Sequence, residues 1–174
     1  MPNISRIKYI ERKVPKFDYP IKLEVGCGDE KHRHPDRKQG WIGVDIVDYG
    51  QEVVWDIEEG LPFADRSVAS IYTSHTMEHI GDIIGVMNEF WRVMQDDGEL
   101  YIVAPYFENE KALLPSHINL FSKWYFNFFE YGSVERDYGT KPWTVIETIV
   151  NGRKDLHVRL KPDRTPHQEG GWKK

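Results

Sequence analysis

The chain contains a single cysteine, Cys27, and no apolar run long enough to cross a membrane. One thiol excludes an internal disulfide framework. The lack of about 18 to 20 consecutive apolar residues argues against a membrane-spanning helix, and the first residues lack the apolar core of a signal peptide. These absences predict a cytoplasmic protein that does not associate with a membrane.

Positive charge is also scarce. The 23 Lys and Arg residues are outnumbered by 28 Asp and Glu residues, which gives a net charge of -5. A protein built around a nucleic-acid backbone would favour a broad basic face, so the balance argues against nucleic acid as a partner. A length of 174 residues, with 40% apolar and 29% charged residues, is typical of one ordinary globular domain.

Short apolar segments separated by turns predict five strands in the first two thirds of the chain. Before the fifth strand, "DIIGVMNEFWRVM" places apolar residues three and four positions apart, which predicts a helix with Asp82 as its N-cap. Strands connected by such a crossover favour an α/β fold with an open, mostly parallel sheet. The predicted strands are "IKLEV", "WIGVDIV", "EVVWDI", "SVASIYTS" and "ELYIVAP".

The C-terminal part predicts a different structure. Asn151-Gly152 is a strong hairpin signal, and the segment after it alternates apolar and polar residues, which predicts an antiparallel hairpin at one edge of the sheet. The aromatic-rich "SKWYFNFFEY" predicts a short helix before it. We expect one domain over residues 1–161, beginning with an N-terminal arm over 1–20, and a disordered tail over 162–174.

The strand ends are where an α/β sheet binds ligands. Gly26 and Gly28 follow the first strand directly, and Asp45 ends the second strand, where a carboxylate can accept hydrogen bonds from both ribose hydroxyls. Lys31 stands where a dinucleotide motif requires a small residue, and the charged loop after the glycines is a poor helix, so a pyrophosphate site is disfavoured. Glu24 beside the turn suits a cationic group instead.

These motifs resemble those of class I S-adenosylmethionine-dependent methyltransferases. "LEVGCG" is similar to the glycine motif of that family and "GVDI" to its acidic strand end, while "LPFADRSVASIYTSHTMEHI" and "FWRVMQDDGELYIVAP" are similar to the fourth and fifth strands of the small ubiquinone-methyltransferase-like branch. The resemblance covers roughly residues 21–106. Glu30 replaces the usual third glycine, and the loop over 29–40 is too short for the usual first helix, which we interpret as a variant.

The resemblance implies a Rossmann-like fold, S-adenosylmethionine as cofactor and S-adenosylhomocysteine as product. It also implies an enzyme that moves a methyl group to an O, N or C nucleophile of an acceptor, which we expect to be a small molecule. A homodimer that borrows a second subunit as a wall of the acceptor pocket is an option. The implied cofactor-binding residues are Glu24, Gly26, Gly28, Asp45, Ile46, Asp56, Ile57 and Ser74.

A general base is needed only if the acceptor must lose a proton. Imidazole titrates near working pH, so His75 and His117 are the predicted catalytic residues, with His79 also considered. No metal is expected.

Other interpretations remain open at this stage. His75-Thr-Met-Glu78-His79 fits the H-x-x-E-H pattern of a zinc hydrolase, although the strand-like segment before it argues against a helix that would carry both histidines. A catalytically silent relative that only binds ligands is another alternative. A nicotinamide oxidoreductase would share Gly26, Gly28 and Asp45.

Overall fold

A computed structural model describes residues 17–18, 20–29, 40–132 and 138–166. Within these ranges the chain forms seven strands, one α-helix, α1 (Ile83–Val93), and several short 3-10 helices. No helix among the described residues is long and apolar enough to cross a membrane. The strands are β1 (Ile21–Val25), β2 (Ile42–Asp45), β3 (Val53–Val54), β4 (Val68–Ser74), β5 (Met94–Pro105), β6 (Trp143–Val150) and β7 (Asp155–Pro162).

All seven strands belong to one sheet with the order β3-β2-β1-β4-β5-β7-β6. The first five are parallel, and β7 is antiparallel to both β5 and β6. The predicted α/β sheet, mostly parallel with an antiparallel hairpin at one edge, is therefore confirmed. The order runs outward from β1 to β3 and then restarts on the other side with β4, so the strand order reverses between β1 and β4, where such sheets bind ligands.

Helix α1 covers part of the sheet with an apolar stripe. Val86, Met87, Phe90 and Val93 are all buried, as the three- and four-residue spacing predicts. The predicted cap is also confirmed, because Asp82 Oδ1 accepts a hydrogen bond from the Gly85 backbone N–H at 2.8 Å.

Two elements differ in extent from the prediction. The fifth strand was predicted as "ELYIVAP", but β5 begins earlier, at Met94, and pairs first with Val68 and then, past an irregularity, through Glu99 with Ser70. The aromatic segment forms the short helix that was predicted, but as a 3-10 helix over Tyr125–Phe129 only. Phe126 and Phe129 are both buried, and their spacing matches the three-residue period of a 3-10 helix.

The hairpin between β6 and β7 closes through four residues, 151–154. Asn151 Oδ1 accepts the backbone N–H groups of Arg153 and Asp155, each at 2.9 Å, so the asparagine side chain holds the turn. Beyond β7, the Arg164 guanidinium lies 3.7 Å from the Trp91 ring centroid and donates to the Trp91 carbonyl at 2.6 Å. Residues 163–166 of the predicted tail thus return to α1, whereas 167–174 and most of the predicted arm lie outside the described residues.

Candidate functional site

A glycine turn follows β1. Gly26 and Gly28 have φ values of 67° and 60°, in the left-handed region that other residues seldom adopt. The backbone N–H groups of Gly26 and Cys27 both donate to the Val44 carbonyl, at 2.8 and 3.2 Å. The turn is thereby fixed against β2, and Cys27 within it is buried.

Gly26 also lets the segment after β4 approach closely. A Cβ at this position would lie 1.9 Å from Thr76 Oγ1 and 2.7 Å from its methyl carbon. From the sequence alone, a glycine directly after a strand is expected to let a ligand approach the backbone closely. The structure adds a protein neighbour, which brings the end of β4 against the turn.

Asp45 connects the turn to the end of β2. Its Oδ2 accepts the Gly28 N–H at 2.9 Å and its Oδ1 accepts the Val47 N–H at 3.0 Å. Each carboxylate oxygen retains a second lone pair, so the group can still accept hydrogen bonds from a vicinal diol such as that of ribose. Ile46, directly after it, is 48% exposed and offers an apolar surface beside the carboxylate.

Asp56 and Ile57 lie at the end of β3. The Trp55 N–H donates to the Asp45 carbonyl at 2.8 Å, which holds this strand end beside that of β2. Asp56 Oδ1 accepts the Glu58 N–H at 3.0 Å and caps the 3-10 helix Ile57–Glu59. The Ile57 side chain is buried in the core cluster, and this packing role was not anticipated from the sequence.

Glu24 and Ser74 complete the predicted cofactor set. Glu24 is a carboxylate on β1 with only 4% of its surface exposed, and Ser74 is the last residue of β4. The structure brings the ends of β1, β2, β3 and β4 to one edge of the sheet, as parallel pairing requires. The predicted loop residues 30–39, Lys31 included, lie outside the described residues.

His75 stands at the end of β4 in a strained position. Its φ is 53°, and its N–H donates to the Val103 carbonyl at 2.9 Å, which continues the pairing of β4 with β5. The Nδ1 atom is 3.4 Å from Glu78 Oε1. The hydrogen bond to Glu78 raises the pKa of His75 above its ordinary value, against the opposing effect of burial.

His79 and His117 meet although they come from different segments. Their rings are 4.7 Å apart in an edge-on arrangement, and the His79 Nδ1 lies 2.9 Å from the Ser116 carbonyl oxygen. Glu78, His79 and His117 each offer a ligand atom within 4.8 Å of those of the other two, so these residues could hold a metal ion. Sequence reasoning considered these residues separately, since nothing in their spacing pairs His117 with the earlier motif.

The helical geometry of an H-x-x-E-H zinc site does not form here. Ser74 ends β4, His75 has a positive φ, and only Met77–His79 make a single 3-10 turn. The pattern requires both histidines on one face of an α-helix. His75 is instead separated from His79 by the strand-to-helix turn.

The fold has many solved relatives. A methyltransferase from Aquifex aeolicus is 18% identical over 82% of each chain, with a TM-score of 0.62. The methyltransferase bound to the Trm112 activator of Haloferax volcanii is 14% identical over 89% of this chain and 87% of its own, with a TM-score of 0.59. A type 11 methyltransferase from Sulfolobus solfataricus is 16% identical over 86% and 89%, with a TM-score of 0.56. No curated protein sequence is significantly similar to the chain.

The profile of the methyltransferase domain family matches residues 23–102, the range that contains the glycine turn, Asp45 and the end of β4. Over this range the chain is similar to the methyltransferase domain family, and its fold is that of solved methyltransferases. This similarity implies S-adenosylmethionine as the cofactor. This cofactor supplies a methyl group on a positively charged sulfur. The buried Glu24 carboxylate suits that positive charge, and the Asp45 carboxylate suits the ribose hydroxyls, with Gly26 and Gly28 in the turn between them.

Proposed function

We propose that the chain is an S-adenosylmethionine-dependent methyltransferase that binds its cofactor at the ends of β1 to β4 and transfers the methyl group to an O, N or C nucleophile of a small-molecule acceptor. The observation that supports the site best is the Asp45 carboxylate, which is fixed by the Gly28 and Val47 N–H groups beside the turn. A carboxylate held in this way needs no rearrangement to accept two ribose hydroxyls, so little conformational entropy is lost on binding. Glu24, Gly26, Gly28, Asp45, Ile46, Asp56, Ile57 and Ser74 are the proposed cofactor contacts.

Methyl transfer requires mainly that the nucleophile be held in line with the methyl group, because the sulfonium is already a good leaving group. Where the acceptor must also lose a proton, His75 and His117 are the proposed bases. Both lie at the end of the sheet that carries the glycine turn, His75 directly after β4 and His117 in the segment after β5.

The acceptor side has an apolar character. The segment that follows β5 exposes several large apolar side chains, which could form a wall for a small acceptor or be covered by a second subunit. The net charge of -5 favours neither a nucleic acid nor another polyanion. The exposed apolar side chains are Phe107, Leu113, Leu114, Ile118, Leu120 and Trp124.

We propose a cytoplasmic enzyme, because a single cysteine fits a reducing compartment.

Calorimetric titration of the purified chain with S-adenosylmethionine and S-adenosylhomocysteine tests the site. Binding should weaken by at least about tenfold in Asp45→Ala, or about 1.4 kcal/mol. Asp48→Ala is the matched control, since that exposed carboxylate caps Gly50 nearby and has no proposed contact with the cofactor. Equal losses in the two variants, or no binding by the wild type at millimolar ligand, would contradict the proposed site.

A further inference from the structure

We propose that Glu78, His79 and His117 form a binding site for a divalent transition-metal ion of the zinc class. The two segments that carry these residues meet at the carboxyl end of the parallel sheet. One carboxylate and two imidazoles are a donor set that zinc uses with an open coordination position. The site is distinct from the H-x-x-E-H arrangement, because it uses His117 and not His75.

The Glu78 carboxylate is buried. The side chain is 1% exposed, and its Oε2 is buried without a hydrogen-bond partner among the described residues. The other oxygen faces His75. A buried carboxylate oxygen without a partner is costly, and a bound cation is one of the few groups that offsets this cost.

The His117 ring also has a buried nitrogen. Its Nδ1 is buried and also has no hydrogen-bond partner in the described part of the chain. Two unpaired buried polar atoms in the same three-residue cluster point to a shared ligand that both contact.

The His79 ring is oriented by the Ser116 carbonyl. Its Nδ1 lies 2.9 Å from the Ser116 carbonyl oxygen, which can only accept a hydrogen bond, so Nδ1 carries the proton. In the neutral ring, Nε2 then has a free lone pair. Metal-binding histidines characteristically donate their other N–H to a carbonyl or carboxylate in this way.

The backbone brings the two segments together independently of these side chains. The Ile118 and Asn119 N–H groups both donate to the Glu78 carbonyl, at 2.8 and 3.1 Å, and the Asn119 amide donates to the Ile80 carbonyl at 2.6 Å. The ligand atoms lie within 4.8 Å of one another, against roughly 3.4 Å for ligands about 2.1 Å from a tetrahedral ion. Side-chain rotations that move the ligand atoms by about 1 Å would bring them to the distances of a tetrahedral site.

The position of the cluster suggests its use. Thr76 touches the Gly26 turn, and Glu78 follows two residues later, so the ion would lie on the acceptor side of the same strand end. Its open position would take an oxygen or nitrogen atom of the acceptor, which narrows the proposed acceptor from O, N or C nucleophiles to O or N nucleophiles. This last step rests on the proposed function, and His117 would then be a metal ligand, leaving His75 as the candidate base.

The test uses the full chain, free of any histidine tag and stripped with a chelator. Zinc is titrated by calorimetry, and cobalt(II) is titrated as a spectroscopic substitute whose visible absorption reports four-coordinate nitrogen and oxygen ligation. We expect one tight equivalent per chain. Affinity should fall by at least about tenfold in each of His79→Ala, His117→Ala and Glu78→Gln.

Two controls define the outcome. A double variant, His32→Ala with His34→Ala, removes a histidine pair of the loop over 29–40, and His75→Ala removes the remaining histidine of the H-x-x-E-H pattern. The double variant should keep the tight equivalent with unchanged affinity, whereas His75→Ala should keep one equivalent with lower affinity, because His75 contacts the Glu78 carboxylate. Unchanged affinity in His79→Ala and His117→Ala, or loss of the equivalent in the His32/His34 variant, would overturn the proposal.

Cofactor binding is measured on the same samples. Retained S-adenosylmethionine binding without any zinc equivalent would refute the metal site alone, whereas zinc binding without cofactor binding would refute the proposed function alone. Circular dichroism confirms that each variant folds, and the exposed His79 keeps one informative variant available even if Glu78→Gln does not fold.

Discussion

Thr76 occupies the space that a side chain on Gly26 would need. Its Oγ1 lies 1.9 Å from the position of a Cβ on that glycine, and the same hydroxyl lies 3.2 Å from the Ser74 carbonyl, to which it donates. The glycine turn and the end of β4 are therefore in direct contact. Substitutions at either position should affect both the fold and the proposed cofactor site.

Gly26→Ala should destabilise the protein by about 2 to 5 kcal/mol. Alanine at a left-handed φ costs about 1 to 2 kcal/mol, and the clash with Thr76 adds about 1 to 3 kcal/mol. Gly50→Ala is the matched control, because Gly50 also has a positive φ, 87°, but no atom within 4 Å of a new Cβ. Urea denaturation measures both. Equal destabilisation of the two variants would show that the contact with Thr76 contributes nothing.

Asp82→Ala should destabilise the protein by about 1 kcal/mol, because the first turn of α1 loses the hydrogen bond from the Gly85 N–H. For a chain of this length, the melting temperature should fall by about 2 to 4 °C. Asp82→Asn keeps a side-chain oxygen acceptor and should lie close to the wild type. A comparable loss in the asparagine variant would assign the effect to charge and not to capping.

Glu89 should make stability depend on acid pH. Burial raises the pKa of this carboxyl, but hydrogen bonds from Arg92 and from the Leu61 N–H outweigh it and leave the pKa below its ordinary value. A depressed folded pKa contributes stability above the unfolded pKa of about 4.3, and this contribution is lost as the pH falls through the lower folded value.

Glu89→Gln removes that dependence. The difference in unfolding free energy between the wild type and this variant should be full at pH 6 to 7 and should shrink below about pH 4. Urea denaturation across this range measures it. A difference that stayed constant with pH would mean that the glutamate acts through packing and not through its charge.

Bound cofactor should stabilise the folded chain. At a concentration one hundred times the dissociation constant, S-adenosylmethionine should add about 2.7 kcal/mol to the free energy of unfolding. Asp45→Ala should show a much smaller gain at the same ligand concentration, while Asp48→Ala should show the full gain. Thermal denaturation with and without ligand measures this, and an equal gain in all three proteins would exclude the ribose role of Asp45.

The sequence predicted most of the sheet because its strands are local apolar runs. β1 and β4 were recognisable as short apolar runs, and α1 was recognisable from the spacing of its apolar residues and from its cap, Asp82. Asn151 indicated the hairpin. The segment over Tyr125–Phe129 was predicted only as a short helix, since consecutive aromatic residues have no clear period that would indicate the helix type. The strand order was not predicted, because general rules about crossovers limit the possible orders but do not select one.

The site was less accessible to sequence reasoning. Gly26 and Asp45 were identified because strand ends and short-range spacing constrain them. The approach of His117 to Glu78 depends on backbone bonds from Ile118 and Asn119, which no local pattern encodes. Proximity created by a long loop can be predicted only once the loop's attachment points are known.

The attachment of that loop has a further consequence for how the enzyme could change. Main-chain groups of Ile118 and Asn119 hold the segment to Glu78, so the identity of the side chain at His117 does not determine where the segment lies. A single substitution there can therefore change the side chain at this position while the main chain of the segment stays in place. Under the proposed function, in which His117 faces the acceptor, acceptor choice would be separable from folding, and new specificities would be reachable one residue at a time.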